Sequence, residues 1–192
     1  MDLKDGKATY AALLDTRAFY RHIAQLLRSA DTFLADSEME FERLCGSTAL
    51  AEASPSLHQS DKWLPNMAFR FYKVPGEKHR VAFVSVILCP RHPEMHVRPF
   101  TEPLVCAGWF TFERPVTTWT RYGWAGVITR ANVPRDDTLH KEESRNEGCV
   151  EEACFAVPLS QVTTSEEMET LVLQPLADAL GVRPFDTQEL AR

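Results

Sequence analysis

Two apolar segments separated by a proline and a glycine constrain the fold of this chain more than any other feature of its sequence. Residues 67–74 and 80–88 are rich in aromatic and β-branched side chains, which favour strands. Pro75 and Gly76 between them suit the central positions of a type II turn, because proline fixes a negative φ and glycine tolerates a positive one. The pattern therefore predicts an antiparallel hairpin.

The residues before the hairpin have helical periodicity. From Thr16 onward, apolar side chains recur at three- and four-residue spacing, and Asp15 is placed to cap this helix. Ser37 and Glu40 have the spacing of a capping box, which predicts a short second helix ending near Leu44. We expect the sheet to bury four residues of the first helix: Phe19, Ile23, Leu26 and Leu27.

A third helix is predicted near the carboxyl end. Thr164 and Glu167 form another capping-box pair, and an apolar stripe follows at helical spacing as far as Gly181. Glycine at that position suits a helix end, because it adopts a left-handed backbone without steric cost. Pro175 lies inside this helix and is expected to kink it.

Further strands are predicted at 104–112, 122–129 and 153–157, while 46–66 and the acidic segment 136–152 are expected to be loops. At 192 residues the chain is long enough for one hydrophobic core, so residues 1–192 are expected to form a single domain. The predicted class is α+β, with an antiparallel sheet of about five strands. The amphipathic N-terminal helix, the short second helix and the C-terminal helix would pack on this sheet.

Composition favours a soluble cytoplasmic protein. Charged residues occupy the start of the chain, where a signal peptide would need an apolar run. The longest apolar stretch, 81–89, is far shorter than the roughly 20 residues that span a bilayer. The five cysteines are scattered along the chain, as expected of free thiols in a reducing compartment.

Charge is divided unevenly along the chain. Residues 62–130 carry 10 basic and 4 acidic side chains together with most of the aromatic ones, whereas residues 131–192 carry 5 basic and 13 acidic side chains. Aromatic rings beside arginine are common at interface hot spots and also stack on nucleic-acid bases. The predicted partner-binding residues are Trp119, Arg121, Tyr122, Trp124, Arg70, Lys73, Arg98 and Arg130. Trp109 and Phe110, inside a strand, are expected to be core.

One group of residues has the donor types of a metal site. Cys89, His92 and His96 have C-x2-H-x3-H spacing, and Cys106 could add a fourth donor for zinc. Structural zinc sites normally use two such tight pairs, and only one is present here, so we expect neither a metal nor another cofactor. The same residues define a less favoured hydrolase hypothesis, with cysteine as nucleophile and histidine as base.

The sequence contains no phosphate-binding loop, no dinucleotide fingerprint and no G-x-S-x-G nucleophile turn. We therefore expect binding rather than catalysis. The leading hypothesis is a protein-docking accessory domain that presents a basic aromatic sheet face and an acidic loop, with another protein as partner and no membrane association. The alternative is a nucleic-acid-binding protein that uses residues 62–130.

Overall fold

The computed structural model describes residues 5–36, 38–44, 49–51, 56–58, 64–88, 102–117, 139–143 and 148–182. The helical elements are α1 (Gly6–Ala30), a π-helical continuation (Asp31–Ala35), a 3-10 turn (Leu159–Gln161), α2 (Ser165–Met168), a second π-helical stretch (Glu169–Leu173) and α3 (Gln174–Leu180). The described strands are β1 (Glu42–Arg43), β2 (Ala49–Ala51), β3 (Met67–Lys73), β4 (Arg80–Ile87), β5 (Leu104–Phe112), β6 (His140–Glu143) and β7 (Cys149–Pro158). Residues 165–180 are called the C-terminal helical segment below.

These strands form one antiparallel sheet in the order β1–β3–β4–β5–β7–β6. β2 pairs with β3 on the same side as β1, so the described sheet is six strands wide. The α+β class and the antiparallel sheet with terminal helices are confirmed.

The central hairpin forms as its sequence predicts. The amide of Glu77 donates to the carbonyl of Val74 at 3.1 Å, which closes a turn with Pro75 and Gly76 in the middle. Gly76 has φ 73°, the positive value that the second central position of a type II turn requires. This turn sets the β3–β4 register, in which Phe71 lies opposite Phe83.

Both faces of the sheet are buried. The C-terminal helical segment and the second half of α1 cover one face, where Leu26, Leu27 and Trp109 are part of the core. The other face forms a second core of aromatic and aliphatic side chains, with Phe83 and Phe110 stacked at 4.8 Å between ring centroids. The continuous apolar runs of β3, β4 and β5 are typical of strands buried on both faces.

The first helix begins ten residues earlier than predicted. Asp5, not Asp15, is the N-cap, and its carboxylate accepts hydrogen bonds from the amides of Lys7 and Ala8. The run of good helix formers after Asp5 continues into the periodic region without a break. All four buried residues of α1 lie between Ile23 and Ala30, so the predicted burial of Phe19 is wrong.

The short helix expected from Ser37 to Leu44 is also absent from the described part of that range, 38–44. Glu40 has φ 57°, which interrupts any helix, and Glu42–Arg43 pairs with the end of β3 as β1. Tertiary pairing with a strand edge outweighs the local capping signal here. Ser37 itself lies outside the described residues.

Two predicted loops contain strands. Ala49–Ala51 pairs with β3 within the range 46–66, and His140–Glu143 pairs with β7 within the acidic segment. β7 begins at Cys149 rather than at residue 153, after Gly148 with φ 78°. Polar residues suit β6 because an edge strand keeps part of its surface in water. The strand predicted at 122–129 lies outside the described residues.

The C-terminal helical segment begins and ends where the sequence predicts. Thr164 and Glu167 form both hydrogen bonds of the capping box, and Gly181 ends the segment in the left-handed region with φ 71°. The departure from regular α-helix is the π-helical stretch just before Pro175, which lies in the first turn of α3. None of the described helices is long and apolar enough to cross a membrane.

Candidate functional site

Six of the predicted partner-binding residues lie outside the described residues. They are Arg98, Trp119, Arg121, Tyr122, Trp124 and Arg130. Their role stays a prediction.

Arg70, another predicted binding residue, is part of the core. Its guanidinium donates to both carboxylate oxygens of Asp31, with Nε at 3.0 Å from Oδ1, and the hydroxyl of Tyr72 donates to Oδ1 at 2.9 Å. Only 6% of Arg70 is exposed, because the π-helical turn that carries Asp31 lies over β3. The expectation that Arg70 faces a partner is therefore corrected: its charge joins the helix layer to the sheet.

The electrostatics of this cluster fit a structural role. Burial alone would lower the pKa of Arg70, but the hydrogen bonds and charge of Asp31 outweigh it and the pKa is raised. Burial, and then Asp31, raise the pKa of Tyr72 well above its usual range. Both groups therefore keep one protonation state across the physiological pH range.

Lys73 does not share a face with Arg70. Side chains alternate along a strand, so residues 70 and 73 point to opposite sides of β3. The ammonium of Lys73 pairs with Glu42 on β1 at 2.8 Å, and the residue is half-buried. The described basic residues of β3 therefore do not form one binding surface.

Trp109 and Phe110 are core, as predicted. The indole N–H of Trp109 donates to Glu151 at 2.9 Å, and the cations of Arg80 and Lys141 lie 5.8 Å and 5.3 Å from the ring centroid. These two cations are thus held over a ring of the same chain. The aromatic rings of β3 and β4 and most of those of β5 are buried. The buried rings are Phe69, Phe71, Tyr72, Phe83, Trp109 and Phe110. These described strands therefore offer no aromatic binding face.

Cys106 is the one predicted metal ligand in the described part of the chain. It is fully buried on the second core face, and burial, followed by the neighbouring Cys154, raises its pKa well above the usual range. Metals bind the thiolate, so this environment disfavours ligation. Cys89, His92 and His96 lie outside the described residues. Within the described ranges, no three His, Cys, Asp or Glu side chains are grouped as a metal site would need.

The structure instead exposes large apolar side chains on the part of α1 that precedes Ile23. Leu13 is 58% exposed and Phe19 is 36% exposed, and Leu64, before β3, is 55% exposed. Single exposed apolar residues are ordinary, but three near one groove need a physical reason. The sequence signal that could have identified them is the helix-forming run after Asp5. This run makes α1 longer than the part of it that packs on the sheet, so Leu13 lies on the uncovered part.

A groove of about 530 Å³ lies between α1 and the end of the β3–β4 hairpin. The rings of Phe19 and Tyr20 meet edge to face in its wall at 5.9 Å between centroids. The amide of Leu88 donates to the carbonyl of Asn66 at 2.8 Å, which fixes the opposite wall. Its lining residues are Asp15, Thr16, Phe19, Tyr20, Leu64, Pro65, Asn66 and Leu88. We call this set, together with Leu13, the α1 groove.

Leu13 lies one helical turn before the lining residue Thr16, at the amino end of the groove. Leu13, Thr16 and Tyr20 are spaced by three and four residues, so they lie on one face of the helix. Among the described lining residues, Asp15 is the only charged one. The described lining of the α1 groove is therefore mainly apolar, with one negative charge.

Comparisons with models of protein families, with curated proteins and with solved structures find no match to this chain.

Proposed function

We propose that this protein is a non-catalytic docking domain whose α1 groove binds a short amphipathic segment of another protein. The observation that carries the proposal is the exposure of Leu13, Phe19 and Leu64 around a groove with fixed walls. Exposed apolar side chains next to a concave apolar surface are typical of peptide-binding sites.

The size of the exposed surface favours a protein segment over a small molecule. A small ligand could fill the groove, but it would leave Leu13 and the outer part of Leu64 in water. A helix or extended peptide covers both the groove and the side chains at its rim. Asp15 adds a charge preference, so we expect two or three apolar anchors and one lysine or arginine in the partner segment.

The groove supports a protein partner better than it supports nucleic acid. Phosphates need cations, and among the described lining residues the only charged group is the carboxylate of Asp15. Within the described part of 62–130, Arg70 and Lys73 are paired with Asp31 and Glu42, and Arg80 contacts Glu77 and Trp109, so three basic residues of that segment already have partners in the chain. Nucleic-acid binding by residues 62–130 remains the alternative proposal, and hydrolysis by Cys89, His92 and His96 ranks third.

Peptide selection tests the proposal. A random twelve-residue library displayed on phage is selected against the wild-type protein, and recovered peptides are measured by fluorescence anisotropy. We expect apolar peptides with a basic residue, and we expect Phe19→Glu or Leu64→Glu to weaken them at least tenfold. Loss of an interface anchor costs about 2 kcal/mol or more, which exceeds tenfold in affinity.

Leu57→Glu is the matched control, because Leu57 is 80% exposed and lies outside the groove lining. This variant should leave peptide affinity unchanged within about twofold, because a side chain outside the groove does not contact a peptide bound in it. The proposal is wrong if no peptide is recovered, or if the Leu64→Glu and Leu57→Glu variants bind the peptides equally. Tighter binding of a labelled single-stranded oligonucleotide than of any peptide would favour the alternative.

A further inference from the structure

The outer face of α1 carries a row of positive charges. Lys7, Arg17, Arg21 and Arg28 are separated by ten, four and seven residues, spacings that place them close to one face of a helix. All four are exposed, and Tyr10 and Leu14 lie between them on the same face, 64% and 42% exposed. This row contains no carboxylate.

The C-terminal helical segment beside α1 has the opposite charge. From residue 162 to residue 182 the chain has four acidic side chains and neither lysine nor arginine. Glu166, Glu169 and Asp178 are exposed, and so is Leu171, at 37%. Residues two apart point to different sides of a helix, so Leu171 does not share a side with Glu169, which lines the cleft toward α1. The exposed surface of the segment is therefore acidic, with one apolar side chain at its margin.

These two surfaces are neighbours in the helix layer. The Ser29 hydroxyl of α1 donates to the Ser165 hydroxyl of α2 at 2.8 Å, and a cleft between the elements is lined by Arg28 on one side and Glu169 on the other. Among the ion pairs of the described residues, none joins the cations of α1 to the carboxylates of the C-terminal segment. The layer therefore presents a basic strip and an acidic strip side by side.

Such a surface is complementary to itself. A twofold rotation about an axis between the strips would lay α1 of each copy on the C-terminal helical segment of the other, so both basic strips would meet acidic ones. We propose that a second copy of this chain docks on the helix layer in this way, to form a symmetric dimer. Tyr10 and Leu14 would supply the apolar contacts between the charges of α1.

Helix dipoles explain only part of the charge pattern. Arg28 in the last turn of α1 and Glu166 in the first turn of α2 each complement the dipole of their own helix. Arg17 and Arg21 lie in the middle of α1, and Glu169 follows α2, so the dipoles give no reason for these three.

The available area fits a specific but weak interface. Residues 6–30 make α1 about 37 Å long and residues 165–180 span about 24 Å, at about 1.5 Å per residue. Two strips about 10 Å wide then offer about 600 Å² per copy, at the lower end of the range for specific interfaces. The α1 groove contributes none of these residues, so this inference does not depend on the proposed function.

Charge reversal in both strips provides the test. Sedimentation equilibrium of the wild-type protein, at concentrations up to about 200 µM, should show a dimer whose Kd rises at least tenfold between about 50 mM and about 500 mM NaCl. The double variants Arg21→Glu/Arg28→Glu and Glu166→Lys/Glu169→Lys should each raise Kd at least twentyfold. An equimolar mixture of the two variants should associate within about threefold of wild type, because every contact again joins opposite charges.

The control is Lys78→Glu/Arg114→Glu, which changes the net charge as the arginine variant does but outside the helix layer. Its Kd should stay within about twofold of wild type at equal ionic strength. Circular dichroism melts of all variants check that the fold is intact, and Glu169→Lys alone replaces the double variant if that one is unfolded. A monomeric wild type, or a mixture that associates no better than its components, overturns the proposal.

Discussion

Asp31 is the residue on which the contact between the helix layer and β3 depends. It accepts hydrogen bonds from Arg70 and Tyr72, and the guanidinium of Arg43 lies 3.4 Å away. The two arginines share this carboxylate but differ in environment, since the side chain of Arg70 is 7% exposed and that of Arg43 is 36% exposed. This pair separates the contribution of a buried charge from that of a surface charge.

Replacement of Arg70 by methionine should destabilise the protein by about 3 to 5 kcal/mol, because it leaves the charge of Asp31 largely buried without its main partner. Arg43→Met should cost less than about 1 kcal/mol, as exposed ion pairs do. Urea unfolding followed by circular dichroism measures both. Equal losses for the two variants would show that burial does not set the strength of these ion pairs.

The sequence could reveal that Arg70 is unusual but not what it contacts. An arginine inside the run 67–72 interrupts an apolar strand, and such a residue needs a buried partner or an exposed face. Asp31 lies 39 positions away and belongs to another element. Spacing in the sequence carries no information on a contact of that kind, so the sequence pattern predicts a binding role for the same residue.

Two elements with a local signal form where the sequence places them. The Pro75–Gly76 turn and the Thr164–Glu167 capping box each require only residues within four positions of one another. β1 and β6 depend instead on pairing with β3 and β7, which are distant or separated by a turn. For that reason the sequence predicts a helix at one and a loop at the other.

The capping box makes the C-terminal helical segment sensitive to acid. Hydrogen bonds from the hydroxyl and amide of Thr163, and then from Thr164, lower the pKa of Glu167 below its usual value. A carboxyl group whose pKa is lower in the folded state than in the unfolded state stabilises the fold when the pH is above its unfolded-state pKa. That contribution is lost as pH falls through the folded pKa.

We therefore expect Glu167→Gln to be less stable than wild type at neutral pH and to approach wild type in acid, below about pH 4. Thr164→Ala should cost about 1 kcal/mol at neutral pH through the loss of its own cap bond. Thermal unfolding at several pH values measures both effects. A Glu167→Gln difference that grew toward acid pH would contradict the assigned hydrogen bonds.

At the scale of the whole molecule, one sheet separates two cores. Leu26 lies in the helix-side core and Phe83 in the aromatic core, and both are nearly fully buried. Because β4 carries side chains into both cores, neither core can lose its packing without disturbing the shared strands.

We expect Leu26→Ala to lower the free energy of unfolding by about 2 to 5 kcal/mol and Phe83→Ala to lower it by about 3 to 5 kcal/mol. Each variant should still unfold in a single transition. Tryptophan fluorescence and far-ultraviolet circular dichroism should give coincident curves. Phe19→Ala is the control on the same helix, and it should cost much less because Phe19 is 36% exposed. Two separate transitions would show that the cores are independent.

The candidate groove could not be predicted, because it depends on how far α1 extends relative to the sheet. Periodicity marks Phe19 as part of the apolar stripe, and it lies on the expected side of the helix. The sheet buries the stripe only from Ile23 onward, so Phe19 meets the groove instead. How much of α1 the sheet covers depends on tertiary packing, which a local sequence pattern does not indicate.

The edges of the described sheet limit how this protein can aggregate. The outermost strand on one side, β6, has four residues, with His140, Lys141 and Glu143 exposed, and β1 and β2 on the other side have two and three. Long, flat, apolar edges recruit strands from other molecules, whereas short and charged ones resist this addition. Growth of a continuous backbone ladder from copy to copy is therefore disfavoured at these described edges.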